Sequence, residues 1–131
     1  MPTVNWLAII AATVSAFVLG GLWYSPILFA KPWQRAAGIS DERLASTNMP
    51  LLFGLAFVFT LLMATNLAFF IAGSDLITGL AYSLAAGLGF AAFALFVIAL
   101  FERRPLAYFL VNGGYLTLKF LLMGLILGLW K

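Results

Sequence analysis

The segment LAYFLVNGGYLTLKFLLMGLILGLW, running from Leu106 to Trp130, decides the fold. A membrane crossing takes about 20 apolar residues, and this segment is long enough for one. It nevertheless carries Tyr108, Asn112, Tyr115 and Lys119 at steps of four, three and four. Those steps put all four side chains on one face of a helix. A cation at the centre of such a helix costs about 2.5–3.5 kcal/mol, and residues of this kind face protein or water in preference to lipid. The other helices are therefore expected to pack around this stripe.

The rest of the chain supports a membrane setting. Of its 131 residues, 65% are hydrophobic and 8% charged, outside the range of ordinary water-soluble domains. Cysteine and histidine are both absent, which removes disulfides, thiolate nucleophiles, imidazole bases and the commonest zinc ligands. No metal and no cofactor is expected. Ser25 and the Tyr115–Lys119 pair are the only groups that could serve catalysis, and the glycine-rich phosphate loop of a dinucleotide fold is missing, so the chain does not read as an enzyme. The net charge of +3 comes from a few basic residues beside apolar segments. There they act as orientation signals, not as a nucleic-acid surface.

Apolar runs at about 4–24, 50–72, 76–101 and 106–130 predict one all-α domain, an integral membrane bundle of four transmembrane helices in up-down-up-down order. The first run has no basic residue before it and spanning length, so it reads as a retained helix and not a signal peptide. The connections after the first and third helices hold Lys31, Arg35, Arg43, Arg103 and Arg104, and the opposite side holds only Lys131. The positive-inside rule then places those connections in the cytoplasm and both termini outside, in a multi-pass protein whose partner is first of all the lipid bilayer.

Small residues recur at four-residue steps: Ala8, Ala12, Ala16 and Gly20 in the first helix, Gly79, Ser83 and Gly87 in the third, Gly124 and Gly128 in the fourth. Such ridges let helices approach closely, most simply within one chain. Trp23, Tyr24, Trp33 and Trp130 suit the headgroup region as interface anchors. Between them, Ile27–Gly38 reads as an anchoring loop or a short segment in the cytoplasmic interface. Ser40 is placed to cap a short helix ahead of Asn48, and Ser74 or Asp75 to cap the third span. Asn66 is the strongly polar residue of the second span, expected to act as glue between helices or to contact a ligand. For Lys119 three readings stand open: an ion pair with Asp75 or another structural partner, snorkelling to the outer surface, or contact with a ligand or ion.

The chain resembles a family of small bacterial membrane proteins, domain of unknown function 1761. The resemblance lies in Asn5-Trp6, in Gly20 with Trp23-Tyr24-Ser25-Pro26, and in Phe29 and Trp33, while Ala30 stands where a glycine is expected. It implies a four-helix protein of the bacterial inner membrane over essentially the whole chain, and it implies no activity. The expected function is that of a small membrane protein that associates with itself, as a homo-oligomer, or with another membrane protein. The alternative is an oligomeric transporter or channel for a small anionic or amphipathic solute, with Tyr108, Asn112, Tyr115, Lys119 and Asn66 along the pathway.

Overall fold

Four helices in this chain begin at side chains that satisfy otherwise unpaired backbone amides. In a computed structural model describing residues 3–131, the Asn5 side-chain oxygen accepts a hydrogen bond from the Ala8 amide at 3.1 Å, starting α1 (Trp6–Trp23). A short helix α2 (Ala30–Ala37) follows. Pro32 sits in its first turn, where the missing N–H has no intrahelical partner to lose. Gly38 ends it at φ 71°, the left-handed conformation that glycine adopts without strain. The Ser40 hydroxyl accepts from the Arg43 amide and opens α3 (Asp41–Ala45). Asn48 does the same for Leu51, with Pro50 in the first turn of α4 (Met49–Ile71).

A tight turn with Gly73 at φ 79° leads to α5 (Leu76–Phe101), capped by Asp75 through the Thr78 amide at 3.2 Å. Arg103 closes α5 in the left-handed region, φ 59°, a position where glycine is usual. Pro105 then opens α6 (Leu106–Leu129). The segment Ile27–Gly38, which the sequence leaves between loop and interfacial segment, is thus mostly helix, and α2 lies against the first turns of α6.

Four helices, α1, α4, α5 and α6, are long and apolar enough to cross a membrane, and no strand occurs among the described residues. Asn5 Nδ2 donates to the Trp130 carbonyl at 3.3 Å, and Lys131 Nζ donates to the Ser74 carbonyl. The ends of α1 and α6 and the α4–α5 turn therefore share one end of the bundle, here the terminal end. Arg104 donates to the Ala37 carbonyl at the other, basic end.

The centre of the bundle is α6. Buried residues make up 44% of its spanning window, against 17–28% in the other three. The reason is the small-residue ridges. Gly79, Ser83 and Gly87 of α5 are all buried and face Phe120, Gly124 and Gly128 of α6. A Cβ added at Gly87 would lie 2.6 Å from Phe120 Cβ, one at Gly128 2.9 Å from Leu76 Cδ1, and one at Gly124 would fall on the Ser83 side chain. On the other side Ala8, Ala12 and Ala16 are fully buried with Ile9, packing against Ala64, Leu67 and Ala68 of α4 and Met123 and Leu127 of α6. Contrary to a uniform α-helix over 76–101, Ala85–Ala92 winds as a π-helix. Wide turns of this kind mark local irregularities within otherwise regular helices; here the segment contains the Gly87 seat of Phe120.

Candidate functional site

The stripe on α6 becomes a seam because Trp23 and Tyr24, at the end of α1, turn inward to meet it. At the basic end, the Arg104 guanidinium lies 5.6 Å from the Tyr108 ring centre while its Nη1 donates to the Ala37 carbonyl at 2.8 Å. One turn further along α6, Asn112 Oδ1 accepts from the Tyr24 hydroxyl at 2.6 Å. The Trp23 indole donates to the Val111 carbonyl at 2.9 Å. The Tyr24 ring meets Tyr115 and Trp33 edge-on, with centroids 5.2 and 5.6 Å apart. Tyr115 in turn points its hydroxyl at the Ala16 carbonyl, 3.4 Å away. This approach needs Gly20, since a Cβ there would stand 2.9 Å from the hydroxyl oxygen.

The seam ends at Lys119, 13 residues into α6 and so about 20 Å along its axis. Its ammonium donates to Thr60 Oγ1 at 3.2 Å and lies 5.3 Å from the Tyr115 ring centre. Lys119 is 6% exposed and Thr60 3%. Beyond it toward the terminal end the interior is mostly apolar: Met123, Leu127, Ile9 and Ile71 are buried together, and the buried Thr13 and Ser83 hydroxyls are turned onto the Ile9 and Gly79 carbonyls of their own helices. A cleft of about 410 Å³ opens on the far side of that plug, among Asn5, Gly73, Trp130 and Lys131.

Several expectations are corrected by this arrangement. Lys119 does not pair with Asp75: the Asp75 carboxylate is bound to Thr78 at the head of α5, exposed at the terminal end, while the Lys119 stem runs back along α6 toward α4. Helical side chains lean toward the N-terminus of their own helix, which carries Lys119 away from Asp75. Among the described residues the one ion pair is Arg104 with Glu102, at 3.6 Å. Lys119 does not snorkel either, because its ammonium is enclosed. Trp23 and Tyr24 are bonded to α6, through the Val111 carbonyl and Asn112, whereas Trp130 remains exposed at the terminal end. Asn66 is separated from the seam altogether. It lies on the exposed face of α4, and its amide joins none of the side-chain hydrogen bonds formed among the described residues.

Thr60, Tyr24, Trp23 and Arg104 are the seam residues that the stripe alone did not reveal. Thr60 carried a signal, a hydroxyl at the midpoint of an apolar helix. The Trp23-Tyr24 pair carried an ambiguous one, since aromatic residues with a polar tip serve both headgroups and buried hydrogen bonds.

The family model described as "Protein of unknown function (DUF1761)" matches residues 7–128, and the chain belongs to that family. No curated protein and no solved structure matches it.

Proposed function

We propose, for this member of a family without assigned activity, that the bundle works as an assembly module: it sits in a membrane and binds a second membrane-embedded chain through the free face of α4. The observation that carries this reading is Asn66. A side-chain amide exposed on a spanning helix faces hydrocarbon, where its donors and acceptor find no water, and polar residues at such depths turn toward protein. The other amide within the spans, Asn112, is buried and bonded to Tyr24. Asn66 is the one left facing outward. The Gly79–Ser83–Gly87 ridge, by contrast, is consumed by the contact between α5 and α6 and is unavailable to a partner.

The test is the size of the particle extracted with its own lipids. Wild type should migrate as a complex larger than one chain, and Asn66→Leu should migrate as a smaller one with its helix content unchanged. A wild-type particle containing a single chain would sink the proposal.

A transport role is a second reading, favoured by one observation: the Lys119 charge has no carboxylate beside it, and the seam leading to it begins at the basic end. An anion could supply the missing charge. Flux of a small anion into proteoliposomes, present in wild type and lost in Lys119→Gln, is the expected result under this reading. Flux retained in the variant would remove Lys119 from any pathway.

A further inference from the structure

Resting on the assembly reading, we infer that the partner of α4 is a second copy of this chain, related by a two-fold axis along the membrane normal, with Asn66 of each copy facing Asn66 of the other. The exposed side of α4 is a continuous rail of Leu55, Phe59, Leu62, Asn66 and Phe70. Its steps of four, three, four and four keep one helical face along the whole span. A single polar residue interrupts it.

Three features of the rail select a second copy over a different protein. First, an amide carries both donors and an acceptor, so two asparagines satisfy each other without any further residue type. Second, copies inserted in the same orientation bring Asn66 to the same depth. An isologous contact about a two-fold axis requires this equality, and any other polar group in a partner would have to be matched to it separately. Third, the polar neighbourhood is confined to one level. Asn66 lies five residues before the end of α4, about 8 Å along the axis, and Tyr82 lies six residues after the start of α5, about 9 Å. The Phe70 and Tyr82 rings touch, with centroids 6.3 Å apart, so the exposed Tyr82 flanks the rail within about one helical turn of Asn66. The remainder of the rail is apolar and bulky, giving close side-chain packing but no competing hydrogen-bond register.

The chain has no cysteine, so single cysteines report proximity without background. Cysteines placed one at a time at Leu55, Phe59, Leu62, Asn66 and Phe70, and at Val14, Val18, Val97 and Ile98 on the exposed faces of α1 and α5, are oxidised in native membranes with copper phenanthroline. Adducts of twice the chain mass should form along the rail and fail at the four control positions. In the cysteine-free background, Asn66→Leu should weaken self-association by about 3-fold to about 20-fold, the range expected for interhelical hydrogen bonds, and Asn66→Gln should restore part of it. Adducts of the doubled mass that peak at the control positions would overturn the rail as the interface. Rail adducts of any other mass would overturn the second copy as partner while leaving the assembly reading standing. No adduct at any position, together with unchanged migration of Asn66→Leu, would overturn both.

Discussion

Replacing Lys119 by methionine tests whether the bundle contains a hidden counter-charge. Methionine keeps much of the side-chain length and removes the ammonium. In the structure that ammonium has one hydrogen bond, to Thr60, and one aromatic face, that of Tyr115. A hydrogen bond to a charged group contributes about 1.5–3 kcal/mol, and a desolvated cation over an aromatic ring adds about 2 kcal/mol. Against these stands a cost of about 2.5–3.5 kcal/mol for holding the charge at the centre of a spanning helix. The terms largely cancel. The Thr60 hydroxyl is left with an outlet, since a helical threonine can bond the carbonyl four residues earlier. The variant should therefore unfold within about 2 kcal/mol of wild type, measured by equilibrium unfolding in mixed micelles. Deleting one partner of a buried ion pair typically costs about 3–5 kcal/mol instead. A loss of that size in Lys119→Met would falsify the conclusion that no carboxylate faces Lys119.

Three further outcomes follow from the packing and the caps. Gly124→Ala should destabilise by about 1–3 kcal/mol, the usual cost of overpacking, because its Cβ would meet the Ser83 hydroxyl; Ser83→Ala in the same chain should recover part of that loss, and strict additivity in a double-mutant cycle would refute the contact. Tyr24→Phe leaves the buried Asn112 oxygen without its donor and should cost about 1–3 kcal/mol; an unchanged unfolding midpoint would show that the bond carries nothing. The side-chain and backbone hydrogen bonds from Thr78 hold the Asp75 carboxyl below its ordinary range. The ionised cap therefore stabilises the fold above about pH 4, the unfolded value, and that contribution disappears as pH falls through the lower folded value. Wild type should lose stability below pH 4 more steeply than Asp75→Asn, which caps α5 without titrating, and parallel curves would exclude this role for Asp75.

The four long helices were legible because an apolar run of spanning length has few alternatives, and Ser40 and Asp75 cap the short α3 and the long α5 where their residue types are favoured. The α6 stripe was legible for the same periodic reason. Its partners were not. Periodicity states which face of a helix a residue occupies but not which helix faces it, so Lys119 pointed equally well to a carboxylate at the terminal end or to a hydroxyl on α4. The chain has only four acidic residues, and charge arithmetic favoured Asp75. The lean of helical side chains, together with the register of α4 against α6, brings Thr60 there instead. Asn66 shows the converse. Its type announces a polar contact, but whether that contact lies inside the chain or beyond it depends on the rotation of α4, which an almost uniformly apolar helix does not encode. The π segment in α5 likewise has no counterpart in composition, as Ala85–Ala92 is an ordinary run of small and apolar residues.

The layout of polar groups along the bundle weighs between the two functional readings. Going from the basic end inward, every turn of α6 up to Lys119 presents a side chain with a hydrogen-bonding or aromatic partner. Past Lys119 the same face presents Met123 and Leu127, closed over by Ile9 and Ile71. A solute carried through one protomer would have to part the Tyr24–Asn112 and Lys119–Thr60 bonds and then cross a sealed, mostly apolar half whose buried hydroxyls, Thr13 and Ser83, are already bonded to carbonyls of their own helices. Both steps oppose a path through the centre of a single bundle. The seam does what a structural network does: it fixes α1, α2 and α4 against α6 by bonds that are satisfied in place. Among the described residues of the spans, the side-chain amide without such satisfaction is Asn66, and it faces away from the seam. Any pathway built by this protein would accordingly run between bundles, along surfaces that the proposed assembly through α4 would bring together, and the assembly must be established before the pathway can be sought.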